Sequence, residues 1–288
     1  MRPMLVPGAH VLRRHDGSFQ VGLDPRDAVV LPDTPAVASC LSRLDGSPVR
    51  SGDGGPVELL GTAGLVVDER AVVPLVAATT GPSEAGRAAA LVRRHGERAA
   101  AVAAARHGRP VRVAGFGHPD GATLVDRLGA LLSEGGLLTS PDDAAVEVLA
   151  GLGEPDRERV DGWMRDRVPH LLVRLAEGRA TVGPFVVPGT TACLRCVDAH
   201  HTDADPTWPL LVRQYAAAVV RPRRDGAPEP LDPLLASVAL AWAARDLATY
   251  VDGQRPSTWS TTLTLDGGLA AVEARTWARH PDCGCSWQ

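Results

Sequence analysis

The sequence predicts an α/β protein with a winged-helix-like domain at residues 1–78 and a mixed α/β domain at residues 110–288. In the first 78 residues, three strand-like runs precede one helix, a short helical stretch and a hairpin-like run, which is the outline of a winged helix. Strand and helix patterns alternate after residue 110, and two close cysteine pairs there indicate a metal site. An Ala- and Arg-rich stretch within residues 79–109 predicts a linker helix between the two domains.

The composition is typical of a globular protein that has no nucleic-acid partner. Of the 288 residues, 44% are hydrophobic and 22% are charged, close to the average for folded domains. The formal net charge is −4, which argues against a surface that binds a phosphate backbone. All 30 basic residues are arginine, and the chain has no lysine. A catalytic lysine or a lysine that holds a phosphate is therefore excluded.

The sequence also predicts the compartment. The first residues contain no apolar run of the kind found in signal peptides. The longest apolar stretch, Leu234–Ala244, ends at Arg245 and is too short to cross a bilayer. Five cysteines, an odd number, fit a reducing compartment better than a disulfide framework. We expect a cytoplasmic protein with no membrane partner.

Three short strands begin the N-terminal domain. His10–Arg14 and Phe19–Leu23 flank a turn at residues 15–18, which predicts a β-hairpin. Ala28–Leu31 is a third strand, ended by Pro32.

A helix and a second hairpin are predicted to complete this domain. Thr34 as the N-cap and Pro35 at the first helical position begin the helix, and Asp45-Gly46 ends it. Leu65–Val73 predicts the second hairpin. The apolar residues of the helix recur at helical spacing: Val37, Cys40, Leu41 and Leu44.

The second domain begins with the strand Val111–Gly117, which enters a glycine turn before a helix at 122–133. Further strands are predicted at 144–149, 170–175, 180–187 and 261–265, and further helices at 156–167 and 231–251. Because strands 170–175 and 180–187 form a hairpin while the others alternate with helices, we expect a mixed sheet.

Four cysteines carry the strongest chemical signal. Cys193 and Cys196 form a CxxC motif, and Cys283 and Cys285 form a CxC motif almost 90 residues later. Two thiolate pairs on tight turns can present four sulfurs to one tetrahedral ion, so we expect a structural zinc site. A redox-active CxxC and four unrelated thiols remain alternatives, although a redox motif normally follows a strand in a thioredoxin-like context.

The other cysteine and the polar residues beside the CxxC motif are expected to be structural. Cys40 lies on the apolar face of its helix and is predicted to be core. His200 and His201 are expected to be exposed or to cap the helix, since four sulfurs complete a zinc shell. Asp203 and Asp205 are interpreted as loop and cap residues of the next helix.

Gly115, Gly117 and Gly121 lie between a predicted strand and a predicted helix, where nucleotide-binding loops occur. Their spacing, G-x-G-x-x-x-G, is one residue longer than the dinucleotide fingerprint and includes Pro119. About 20 residues further on, where a carboxylate would bind ribose, the chain reads Gly135–Leu138. We expect a degenerate cofactor-binding loop and no ATP as a cofactor.

Three segments carry a family resemblance that extends over nearly the whole chain. The most specific is Pro188–Cys196, within the run Val182–Leu211, and the others are Gln20–Pro32 and Gly153–Arg174. These segments resemble the actinobacterial ThiF-like family of precursor leader-peptide-binding proteins, the partners of YcaO-type cyclodehydratases.

The resemblance implies an N-terminal recognition element joined to a domain folded like ThiF and ubiquitin-activating enzymes. Such elements take the leader of a ribosomally made precursor peptide as an extra strand, and a YcaO-type enzyme that consumes ATP modifies the peptide. A non-catalytic scaffold that delivers the precursor is therefore implied, and a homodimer is a further candidate assembly. The implied peptide-binding residues are Ala28, Val29, Val30 and Leu31 on the third strand, and Val37 and Leu41 on the helix.

Two other functions remain alternatives. An ATP-dependent adenylating enzyme acting on a peptide or protein C-terminus would need a site that holds ATP and an exposed cysteine outside the zinc site. A winged-helix DNA-binding regulator would use Arg43, Arg50 and Arg70, but no basic recognition helix with base-reading residues is present.

Overall fold

The computed structural model describes residues 2–48, 54–221 and 223–286, and contacts between residues divide the chain into two compact units, Met1–Ala104 and Ala105–Gln288. The strands of the first unit are three residues long. They are β1 (Pro3–Leu5), β2 (Val11–Arg13), β3 (Phe19–Val21), β4 (Val29–Leu31) and β5 (Val66–Asp68). The helices are α1 (Pro35–Leu41), α2 (Gly54–Thr62), α3 (Glu69–Ala77), α4 (Pro82–His95) and α5 (Ala99–Gly108), the last of which crosses the boundary.

The first unit contains two antiparallel sheets. One has the order β2-β3-β4, and the other pairs β1 with β5. Helices α1 and α2 bury their apolar residues against the three-stranded sheet, and Cys40 belongs to this core, as predicted. The core residues are Phe19, Val21, Leu31, Val37, Cys40, Leu41, Leu44, Val57, Leu60, Leu65 and Val66.

The second hairpin predicted at Leu65–Val73 is wrong. Only Val66–Asp68 is a strand, and it pairs with the N-terminal strand β1, which the sequence analysis does not find. The chain then turns into α3, because the Asp68 side chain accepts a hydrogen bond from the Arg70 N–H and caps the helix.

The single linker helix predicted within residues 79–109 is two helices. Gly96 ends α4 with a φ of +56°, and a 3-10 turn at Gly96–Arg98 leads into α5. Both helices pack into the first unit, in a second apolar cluster with α3 and β5. The buried members of this cluster are Val6, Val67, Val72, Leu91, Val92, Ala99 and Val102.

The second unit has one six-stranded sheet with the order β11-β10-β9-β8-β7-β6. Strands β6, β7 and β8 are parallel, and the rest pair antiparallel, which confirms the mixed sheet. Its strands are β6 (Val111–Gly117), β7 (Val146–Leu152), β8 (His170–Ala176), β9 (Arg179–Val186), β10 (Thr261–Asp266) and β11 (Val272–Thr276). Its helices are α6 (Ala122–Glu134), α7 (Arg157–Arg165), α8 (Leu194–Ala204), α9 (Trp208–Val219) and α10 (Pro233–Val251).

Helices cover both faces of this sheet. Residues of α6 and α10 form the larger core with alternate residues of β7 and β8, such as Val148 and Val173. On the opposite face, Val160 and Trp163 of α7 pack on Leu149 and Leu172. Helix α10 is long and apolar enough to cross a membrane by length and composition alone, and ten of its residues are buried in the protein.

Candidate functional site

The four predicted zinc ligands converge in the second unit. Cys193 is the N-cap of α8, and the N–H of Cys196 donates to the Cys193 carbonyl at 3.0 Å, which forms a tight knuckle. Cys283 and Cys285 lie in the C-terminal tail, beside a 3-10 turn at Gly284–Ser286. The Sγ–Sγ distances are 3.7 Å for Cys193–Cys196, 3.6 Å for Cys193–Cys283 and 3.3 Å for Cys196–Cys285.

These distances fit a shared metal ion and not disulfides. A disulfide requires sulfurs about 2.05 Å apart. Sulfurs bound about 2.3 Å from a tetrahedral ion lie about 3.8 Å from one another. All four cysteines are buried, and their sulfurs all lie within 4.8 Å of one another. The cluster can therefore hold one metal ion.

The acid–base properties of the thiols also call for a cation. A hydrogen bond with the Cys193 thiol lowers the pKa of Cys196 to about 4, whereas burial raises the pKa of Cys283 to about 12. Backbone N–H groups of His280 and Cys285 donate to the sulfurs of Cys196 and Cys283. Four thiolates this close repel one another, so complete ionisation needs the positive charge of a bound ion.

The surroundings of the centre give it a structural role. The cysteines are buried in an apolar cluster between α8 and the tail. The tail is also held by Arg279, which donates to the carbonyls of Gly189 and Cys285. An ion at this place therefore joins the tail to α8. The other members of the cluster are Met164, Val186, Ala192, Val197 and Trp277.

A second group of possible ligands lies beside the cysteines. His280 of the tail hydrogen-bonds through Nε2 to Asp203 at 2.9 Å, and its Nδ1 accepts from the Asp282 N–H at 3.2 Å. Because Nδ1 accepts, Nε2 carries the proton, and the group acts as a hydrogen-bonded latch. His200 and His201 are partly buried against Trp277, not exposed as expected. Sequence analysis misses His280, although it stands three residues before Cys283.

A cavity of about 870 Å³ opens next to the cysteine centre, between α7, α8, α9 and the tail. Its floor includes Arg157, which is only 8% exposed and donates to both carboxylate oxygens of Asp198 at 3.0 Å. Burial opposes ionisation of Asp198, but the hydrogen bonds from Arg157 keep its pKa below the usual value. Glu154 completes the network by accepting from Arg157 and Arg174. The paired charges indicate a structural network.

Strand β4, the predicted peptide-binding strand, is an edge strand of the three-stranded sheet. Hydrogen bonds at both ends of the first hairpin show that Gln20 of β3 pairs with β2. Its two neighbours therefore pair with Val29 and Leu31 of β4. The N–H and C=O of Val30 point away from β3, and its side chain is 50% exposed. Within the described residues, no strand pairs with this edge.

The helix residues expected to line a peptide groove lie in the core. Val37 and Leu41 are each 7% exposed and pack with Phe19 and Leu31, because the small sheet needs α1 as its cover. Helix α2 also contacts β4, and its Leu59 is 48% exposed. Sequence analysis does not find Leu59, since a single exposed leucine has no distinguishing pattern.

The three glycines of the predicted nucleotide loop allow close packing. Gly117 ends β6 with a φ of +78°, and a Cβ there would lie 1.9 Å from the Leu152 carbonyl oxygen. A Cβ on Gly121 would lie 3.0 Å from the Leu152 nitrogen, and one on Gly115 would lie 3.1 Å from Val125. The space beside the loop is thus filled by β7 and α6.

The strand order gives this loop no nucleotide crevice. Dinucleotide sites form where the strand order of a parallel sheet reverses, at the carboxyl ends of the strands. Here β6 is an edge strand, and the order runs from β6 to β11 without reversal. Within the residues that the structure describes, the glycine loop does not stand at a switch point.

Comparison with solved structures shows which fold this is. The chain is similar to the heterocyclase TruD, with a TM-score of 0.72 and 19% identity over 99% of the chain. It is also similar to a heterocyclase in complex with substrate and cofactor (TM-score 0.68, 18% identity, 98% of the chain). For E. coli MccB solved with MccA, the TM-score is 0.65 at 12% identity, over 100% of both chains. No protein-family model and no curated protein matches the sequence.

These likenesses establish the fold and support the ThiF-like architecture that the sequence resemblance implies. The chain spans 42% of the TruD chain and 39% of the second heterocyclase. With identities of 19% or less, the shared fold does not by itself assign an activity.

Proposed function

We propose that the protein is a non-catalytic scaffold in the biosynthesis of ribosomally made, post-translationally modified peptides. It binds the leader of a precursor peptide and delivers the precursor to a YcaO-type partner enzyme in the cytoplasm. The observation that carries this proposal is the free edge of β4, where Val30 offers an N–H, a C=O and a half-exposed side chain. Strand addition takes its affinity from such backbone groups and its specificity from side chains.

The similar structures support a role in peptide maturation. One heterocyclase of this fold was solved with its substrate, and MccB was solved with MccA. The match covers less than half of TruD, so TruD has a large part outside the shared fold. We propose that a separate YcaO-type chain supplies the corresponding catalytic part for this protein.

In the proposed binding mode, the leader pairs with Ala28–Leu31 as a fourth strand. The N–H of Ala28 already donates to Asp24 at 2.9 Å, so the Val30 N–H is the central donor for the peptide. Val37 and Leu41 support β4 from the core, and Leu59 of α2 offers an apolar contact. An apolar or acidic segment fits a strand of this kind.

We propose that the metal ion of the cysteine centre is zinc. Four buried sulfurs with tetrahedral spacing are the donor set of structural zinc sites, and such an ion contributes folding energy. Cys193, Cys196, Cys283 and Cys285 would hold it and so keep the tail on α8.

The proposed function has no ATP-dependent step in this chain. The Cβ positions of Gly115, Gly117 and Gly121 are taken up by neighbouring atoms, and the chain has no lysine. These observations count against the adenylating-enzyme alternative.

Peptide binding to the full chain tests the proposal. The probes are fluorescein-labelled synthetic peptides that reproduce the leaders of short precursor-like reading frames beside the gene, measured by fluorescence anisotropy. We expect one of them to bind with a Kd of about 1–10 µM. Val30→Pro removes the outward donor without breaking a bond to β3, and we expect it to weaken binding at least about tenfold.

Val11→Pro is the matched control. Val11 lies on β2, the other edge of the same sheet, and its N–H also points outward, because the neighbouring residues pair with β3. We expect Val11→Pro to bind like the wild type. Equal weakening by both variants, or no binding of any leader at about millimolar concentration, contradicts the proposal.

A further inference from the structure

The last strand of the second unit has an unpaired edge of its own. Strand β11 ends the six-stranded sheet, and all five of its residues are exposed. Within the described residues, nothing pairs with its outer side. Edge strands of this kind are templates for a further strand.

The hydrogen bonds to β10 show which residues face the open side. The Trp277 N–H donates to the Ser260 carbonyl at 2.7 Å, and the register pairs Arg275 with Thr262. Because backbone groups alternate along an antiparallel strand, Arg275 and Glu273 bond to β10. The N–H and C=O groups of the other three residues therefore point outward, and these residues are Val272, Ala274 and Thr276.

We propose that a second copy of this chain pairs with this edge, β11 against β11, around a two-fold axis at Ala274. Ala274 then faces its symmetry mate, and Val272 faces Thr276 of the second copy. Each of these pairs exchanges two backbone hydrogen bonds, about six in total. Two six-stranded sheets become one continuous sheet. This inference is independent of peptide binding, because β4 belongs to the other unit.

Symmetry and charge together select this register. Antiparallel pairing around a two-fold axis keeps residues of the same sheet face opposite each other, so the axis passes through a residue. An axis at Glu273 or at Arg275 puts like charges in contact. An axis at Ala274 puts Glu273 of each copy opposite Arg275 of the other, twice per dimer. These are the close pairs without backbone bonds, in which side chains interact most strongly.

The side chains of β11 are free for such contacts. Glu273 and Arg275 form no ion pair within the described residues, and the Arg275 guanidinium lies on the Trp277 ring at 3.8 Å. On the other face, Val272 is 41% exposed although its partner Leu265 on β10 is buried. The apolar layer therefore stops at β10, and a second copy extends it over Val272.

Measuring the mass of the metal-loaded full chain by analytical ultracentrifugation tests this interface. We expect the mass to rise from 30.2 kDa to twice that value with increasing concentration. Glu273→Arg places like charges opposite each other at both symmetric positions, and Arg275→Glu does the same with opposite sign. Each variant is expected to raise the dimer dissociation constant at least about tenfold.

The double variant Glu273→Arg with Arg275→Glu restores opposite charges and is expected to dimerise like the wild type. Glu97→Arg changes the net charge equally at an exposed position in the other unit and is expected to have no effect. Ala274→Pro removes the outward donor on the axis and is expected to give monomers with an unchanged far-UV spectrum. A wild-type mass of 30.2 kDa at all concentrations, single variants that dimerise normally, or a double variant that stays monomeric overturns the proposal.

Discussion

The glycine loop at the end of β6 and the cysteine knuckle at the start of α8 are both tight turns, but distant segments give them different roles. The loop turns onto Leu152 of β7, which occupies the space beside Gly117. The knuckle turns toward Cys283 and Cys285, nearly 90 residues away, and the space among the sulfurs has the size of a metal ion. A turn motif thus shows that the backbone can bend, and the partner segment decides what the bend is for.

The difference also separates two sources of stability. The glycine loop is held by van der Waals packing, which is lost in proportion to the atoms displaced. The cysteine centre is held by charge, because its sulfurs are compatible with one another only around a cation. Each source predicts a different response to substitution.

The largest effect is expected at the cysteine centre. Cys196→Ser removes one of four ligands and leaves three buried sulfurs around a weakened ion. We expect the metal content to fall from about one ion per chain to nearly none and the free energy of unfolding to fall by more than about 4 kcal/mol. Elemental analysis and chemical denaturation of the same preparation measure both.

Cys40→Ser is the matched control for this substitution. Cys40 is also buried, 1% exposed, but belongs to the core of the other unit. We expect Cys40→Ser to keep its metal. If Cys196→Ser retains a full complement of metal, the four cysteines do not form one site and the comparison between the two turns fails.

The next effect is expected at the glycine loop. Gly117→Ala places a Cβ against the Leu152 carbonyl at a positive φ, and we expect a loss of about 4 kcal/mol with the metal content unchanged. Gly129→Ala is the control, because Gly129 lies in α6 with no atom near its Cβ position. It is expected to stabilise the protein by up to about 1 kcal/mol. A Gly117→Ala variant as stable as the wild type would show that the loop is not held by packing.

The same contrast explains how much the sequence predicts. The strands and helices of the second unit have long apolar patterns, and the metal ligands can be counted from their spacing. In the first unit, three-residue strands are too short for periodicity, so β1 is missed and Leu65–Val73 is wrong. Two features decide there: the pairing of β5 with distant β1, and a hydrogen bond from Asp68 that begins α3. Val37 and Leu41 are similarly assigned to a groove because their spacing does not tell which neighbour covers them.

A third, smaller effect concerns β8, which is held by packing alone. His170 at its start is fully buried, its Nδ1–H donates to the Val168 carbonyl at 2.9 Å, and no described residue bonds to its Nε2. Burial lowers the pKa of His170 to about 4, against the opposing bond to Val168. The unfolded chain takes up a proton below its pKa of about 6.5, and the folded chain does so only near pH 4.

The stabilisation from neutral His170 is therefore complete above pH 6.5 and is lost as the pH falls toward 4. We expect the free energy of unfolding to fall by up to about 3 kcal/mol over this range through His170 alone. Denaturation of wild type and His170→Gln at several pH values measures it, since the metal centre contributes equally to both and cancels in the difference. Identical pH slopes contradict this assignment.

The smallest expected effect is the response to ATP, and it bears on the glycine loop directly. A site with a Kd of about 10 µM would stabilise the protein by about 2.7 kcal/mol in about 1 mM ligand, through mass action. Because side chains and backbone fill the space beside Gly115, Gly117 and Gly121, and because β6 is an edge strand, we expect no change in Tm with 1 mM MgATP, to about 1 °C. Pyrophosphate exchange with leader peptide present is likewise expected to stay at background. A clear rise in Tm together with peptide-stimulated exchange would show that the loop can open around a nucleotide, and the adenylating-enzyme alternative would then replace the scaffold.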